Sequence, residues 1–94
     1  MVTWVRLDKF LKLSRLVKRR TVAQEMSEIG AVRINKRASK PSSNVADGDT
    51  IEIAYPRRVL TVRVLTADEA ALKHGAPAYE QLEEKRVDAE ERPW

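Results

Sequence analysis

Apolar residues in the first third of the chain recur at helical spacing. Leu7, Phe10, Leu11 and Val17 fall on one face at three- and four-residue intervals, while Asp8, Lys9, Lys12 and Arg15 lie largely opposite. This spacing predicts an amphipathic helix that buries one stripe and turns a mostly cationic side outward. Val22, Met26 and Ile29 repeat the design and are expected to be the buried positions of a second helix. Gly30, able to take a left-handed backbone, is placed to close it. Residues 5–30 therefore predict a helical hairpin, with Lys18, Arg19 and Arg20 in the connecting turn and the first turn of the second helix.

After Gly30 the hydrophobic period shortens to two. Val32 and Ile34 alternate with Arg33 and Asn35, which reads as a short half-buried strand. Asn35-Lys36-Arg37 reads as a tight turn and residues 38–40 as its brief return. A loop follows at Pro41, Ser42, Ser43 and Asn44, then an Asp47-Gly48 turn. Ile51 and Ile53 mark a second strand, Pro56-Arg57-Arg58 breaks it, and Leu60, Val62 and Val64 share one face of a returning antiparallel strand. Thr66-Ala67-Asp68-Glu69 fits a capping box that opens a short helix to His74. Pro77 is expected to open another helix through Tyr79, Leu82 and Glu83, and the charged end is expected to fray beyond about Val87.

The net charge of +4 conceals a division along the chain. Residues 1–40 carry eleven Lys/Arg against three Asp/Glu, residues 41–65 balance, and residues 66–94 carry four against eight. That pattern suggests a basic face for a polyanion and a separate acidic element. Ninety-four residues suit one small core, divided here into a binding domain at 5–65 and an acidic, partly helical tail at 66–94. There is no cysteine, so disulfides and thiolate metal sites are excluded. No segment reaches the roughly 18 apolar residues needed to span a bilayer, and a cytoplasmic monomer is expected.

Catalytic chemistry finds little support. His74 is the only histidine and has no cysteine or second imidazole to join it. The glutamates at 80, 83, 84, 90 and 91 lie in a polar stretch without apolar surroundings to tune them. Glycines occur only at 30, 48 and 75, each explained by a turn or cap, so no phosphate-binding glycine loop is present. No enzyme, cofactor or metal is expected.

The basic residues are more informative. Lys18, Arg19 and Arg20 sit at the helix end where the dipole already carries partial positive charge, a poor arrangement for stability. A phosphate there would meet free backbone N–H groups and three cations at once. Arg6, Lys9, Lys12 and Arg15 extend this surface on the first helix, and Arg33, Lys36, Arg37 and Lys40 extend it beyond the hairpin. Arg6 and Arg20 are expected to contact RNA without serving the core. A helix-turn-helix reading for DNA stays open, although the basic run precedes the second helix and strands follow.

Four blocks carry a resemblance: Arg6-Leu7-Asp8-Lys9-Phe10-Leu11, Lys18-Arg19-Arg20-Thr21-Val22-Ala23, Gly30-Ala31-Val32-Arg33-Ile34-Asn35 and Asp47-Gly48-Asp49. Over about residues 5–55 the chain resembles the RNA-binding domain named after ribosomal protein S-four. The resemblance implies an α+β fold, the αL motif: a helical hairpin packed on a small antiparallel sheet, here with a short C-terminal helical tail. A lone domain of this kind is similar to the small bacterial proteins of the RqcP and fifteen-kilodalton heat-shock group. For that group the implied partners are large-subunit ribosomal RNA, peptidyl-tRNA and a nascent-chain-tailing factor, in ribosome-associated quality control. RNA contacts are implied for Arg6, Lys9, Arg15, Arg19 and Arg20. Lys40-Pro41-Ser42 resembles the heat-shock branch, whose long basic extension is replaced here by a short acidic tail. An accessory role in tRNA or rRNA maturation is the alternative.

Overall fold

The computed structural model describes residues 4–88. A short strand, β1 (Trp4–Arg6), leads into α1 (Leu7–Leu13) and α2 (Arg20–Glu28). Then come β2 (Val32–Ile34), β3 (Arg37–Ala38), β4 (Asn44–Ala46), β5 (Thr50–Tyr55), β6 (Arg58–Val64), α3 (Glu69–Lys73) and β7 (Tyr79–Arg86). β1 and β4 form a two-stranded antiparallel ladder, and the other strands form an antiparallel sheet in the order β3-β2-β5-β6-β7. No helix among the described residues is long and apolar enough to cross a membrane.

The expected alternation in the sheet is present. Ile51 stands opposite Val62 and Ile53 opposite Leu60, and all four side chains are buried on the face that meets the helices. Phe10, Leu7 and Leu11 complete the core from α1. The β2–β3 turn has Asn35 and Lys36 at φ +51° and +66°, the paired left-handed geometry of a tight hairpin. Asn35 also accepts from the Thr50 N–H at 2.9 Å and donates to Asp49 at 3.2 Å, tying this turn to the start of β5.

Several expectations are corrected. α1 stops at Leu13, and Val17 is buried from the connecting loop instead of the helix. There the Val17 N–H donates to the Leu11 carbonyl, and Arg15 adopts φ +66°. α2 turns Ala23 and Ser27 toward α1, because two small residues one turn apart let the helices approach closely. Val22 and Ile29, expected inside, are 40% and 79% exposed, and Met26 is half-buried. Gly30 does close α2 as expected: the Ala31 N–H donates to Met26 O and the Gly30 N–H to Ser27 O, with Gly30 at φ +81°.

The capping residue of α3 is Asp68 instead of Thr66; its carboxylate accepts from the Ala70 and Ala71 N–H groups. The helix expected through Tyr79, Leu82 and Glu83 is a strand, β7, paired along β6 from Val64↔Tyr79 to Arg58↔Arg86. β6 offers a free row of backbone groups, and that long-range pairing outweighs the local helical signal. The fraying expected beyond Val87 lies, after Asp88, outside the described residues.

Candidate nucleic-acid interface

The start of α1 is held by backbone from elsewhere. The Leu7 N–H donates to Ser43 O at 2.8 Å and the Asp8 N–H to Pro41 O at 3.1 Å, so the loop after Lys40 satisfies two helix-end donors. The third donor, Lys9 N–H, meets the Asp8 carboxylate at 2.8 Å.

Asp8, expected on the solvent side, is fully buried. Arg6 donates to it through Nε at 3.3 Å and Nη2 at 3.2 Å, Arg20 through Nε at 3.2 Å, and Gln24 through Nε2 at 3.0 Å. Burial alone would raise the Asp8 pKa, but donation from Gln24, Arg20, Arg6 and the Lys9 N–H outweighs it and holds the carboxylate below its ordinary value. One buried anion thus fixes two guanidinium groups that belong to the starts of consecutive helices. Their side chains stay 47% and 42% exposed, so both guanidinium groups remain reachable from solvent and keep donors beyond those given to Asp8. The expectation that Arg6 and Arg20 stand apart from the fold's stability is therefore corrected: each is a partner of a buried charge.

The remaining basic residues divide by partner. Lys9 pairs with Glu69 at 3.0 Å, and Glu69 also meets Lys73 at 3.6 Å; hydrogen bonding from Lys9, then the Lys73 charge, hold Glu69 below its usual range. Arg33 approaches Glu52 at 3.7 Å and donates to Lys36 O. Lys12, Arg15, Lys18, Arg19, Lys36, Arg37 and Lys40 make no side-chain ion pair among the described residues. Lys12 and Arg15 border a hollow of about 550 Å³ with Lys73, whereas Lys18 and Arg19 border a wider one with Arg58. Lys36 and Arg37 occupy the β2–β3 hairpin, a different element from the helices.

Arg19 is the N-cap of α2, with extended backbone and no side-chain cap, and no acidic residue lies in the helix's first turn. The first N–H groups of α2 are thus left to solvent or to an anion. Sequence reasoning missed Asp8 and Gln24. The signal was present in a lone acid among Arg6, Lys9 and Lys12, and in Gln24 one turn after Arg20.

The S4 domain family matches residues 5–51, the span that holds α1, α2 and the Asp8 cluster. The chain belongs to the S4 domain family. It is 43% identical over 89 residues to the RQC P-site tRNA stabilizing factor of Listeria innocua, covering 94% of this chain and 97% of that protein. The same-named protein of Bacillus subtilis is 39% identical over 84 residues, covering 88% and 98%. Heat shock protein 15 of Escherichia coli is 35% identical over 82 residues, covering 85% of this chain and 62% of that protein. The solved structure of Vibrio cholerae heat shock protein 15, described as trimeric, superposes with a TM-score of 0.71 at 28% identity, covering 84% and 82%. The S4 domain here thus carries the fold expected from its sequence blocks.

Proposed function

We propose that this chain is a non-catalytic RNA-binding factor of the cytoplasm that holds large-subunit ribosomal RNA and an adjacent peptidyl-tRNA during quality control of stalled ribosomes. A nascent-chain-tailing factor is the further partner in this reading. The observation that carries it is the pair of guanidinium groups, Arg6 and Arg20, set by one buried carboxylate beside the uncapped start of α2. Fixed cations with spare donors favour a structured polyphosphate backbone, because no side-chain ordering remains to be paid at contact. Lys18 and Arg19 add charge at the same helix start, and Lys12 on α1, Arg15 in the loop that follows it and Lys40 before its capping loop add to the positive field. Lys9 and Arg33 contribute field, while Lys36 and Arg37 offer a second contact from the hairpin. The names of the relatives, factors that stabilise P-site tRNA, support the same substrate class.

Lys18→Gln/Arg19→Gln is the direct test, since neither side chain pairs within the described fold. The folded variant should cosediment with purified large ribosomal subunits about thirtyfold more weakly than wild type, at roughly 1 kcal/mol for each of the two lost charged contacts. Equal cosedimentation would show that the hairpin is not the binding surface.

A further inference from the structure

The face of α2 that the hydrophobic pattern marked as buried is open. Val22, Met26 and Ile29 stand one helical stripe apart and line a groove of about 1010 Å³ between α2 and the β5–β6 turn, floored also by Leu16 and Val17. Ile29 is 79% exposed, an unusual position for a large aliphatic side chain that heads a continuous apolar surface. The rim is cationic: Arg15, Lys18, Arg19 and Arg58 border the groove, and no Asp or Glu does among the described residues. Of these, Arg58 is already shared with Glu84 at 3.2 Å.

We infer that this groove docks an acidic amphipathic helix of a partner protein, its leucine-like side chains against Val22, Met26 and Ile29 and its carboxylates against Arg15, Lys18 and Arg19, cations it would take in place of RNA phosphate. The spacing of Val22, Met26 and the C-cap residue Ile29 is that of a helix–helix seam, which accepts side chains at matching intervals. RNA fits the apolar floor poorly. Unstacked bases seek flat aromatic or guanidinium faces; the floor is aliphatic, and among the described lining residues the aromatic ring of Tyr55 is covered by Arg58 at 4.5 Å and donates its hydroxyl to Leu16 O at 2.6 Å. A second copy presenting the same face would set cation against cation. Acidic side chains flanking an apolar stripe complement both the floor and the rim.

The probe is a fluorescein-labelled peptide helix with Leu on one stripe and Glu on the flanking positions, followed by anisotropy with the full-length protein. Wild type should bind it saturably. Val22→Gln/Ile29→Gln should bind about tenfold more weakly, while affinity for an RNA hairpin and the sedimentation coefficient stay at wild-type values. A peptide with Lys in place of Glu should not bind. Both substituted side chains are exposed, and Ile29→Glu alone serves as a second variant if the double variant melts early. Absence of saturable peptide binding, or binding equal in wild type and variant, overturns the inference. A tenfold loss of RNA affinity in the variant would make the groove part of the nucleic-acid surface, and an oligomer that the variant dissolves would make it a contact between copies; either result also overturns it.

Discussion

Replacing both clamp arginines, Arg6→Gln/Arg20→Gln, should destabilise the fold strongly even though both side chains reach solvent. Asp8 would keep the Gln24 amide and the Lys9 N–H but lose both cations while remaining buried. A hydrogen bond to a charged group contributes about 1.5–3 kcal/mol, and stranding one member of a buried ion pair costs about 3–5 kcal/mol. Because the arginines are 47% and 42% exposed, water screens part of the attraction, and the expected loss is about 3 kcal/mol for the two together. For a domain of this size that is a fall in Tm of roughly 12–24 °C, read by circular dichroism near neutral pH. Acid supplies the control. The Asp8 pKa is lowered from 3.8 in the folded state, so its contribution is complete above 3.8 and is lost as pH falls through the folded-state value. The gap between wild type and variant should therefore be widest near neutrality and shrink as pH drops below 3.8. A Tm change under about 4 °C at neutral pH, or a gap that persists unchanged in acid, would refute the clamp.

RNA affinity should fall at least about tenfold between low and physiological salt, measured by filter binding, and a flat response would argue against phosphate contacts. Ending the chain at Ala78 should cost more than about 2 kcal/mol in urea unfolding, because seven cross-strand pairs vanish and β6 becomes an open edge; unchanged stability would mean that β7 contributes nothing. Burial holds the Tyr55 phenol above 10.0, against the opposing Arg58 charge. Stability should thus be full below 10.0 and decline as pH rises toward the folded-state value, and Tyr55→Phe should remove that component from urea titrations in the alkaline range.

Much of this was readable from residue order. The period-two runs located β5 and β6 and the face they bury, Asn35 announced the β2–β3 turn, and Gly30 ended α2. What periodicity left undecided was which stripe of α2 turns inward: Val22, Met26 and Ile29 have the stronger apolar signal, yet Ala23 and Ser27 win because small side chains permit close helix approach. Strands β1 and β7 were invisible locally. Each is defined by a partner distant in sequence, and β7 reads as a polar helix until β6 is available to pair with it. Asp8 was misplaced for a related reason, since its burial depends on Gln24 and Arg20, one helix away.

The β1–β4 ladder bears on when the protein becomes competent during its own synthesis. Arg6 is the last residue of β1 and pairs with Asn44, while the carbonyls that receive the first α1 N–H groups belong to Pro41 and Ser43. Closing that loop joins parts of the chain separated by about 40 residues, a non-local step whose entropic cost falls late in folding. A growing polypeptide exposes both helices early, but the strand that orients Arg6 has nothing to pair with until residue 46 has emerged. Until then a nascent copy carries a loose basic hairpin with an unsupported Arg6 backbone, and only a chain released past β4 presents the rigid two-arginine clamp.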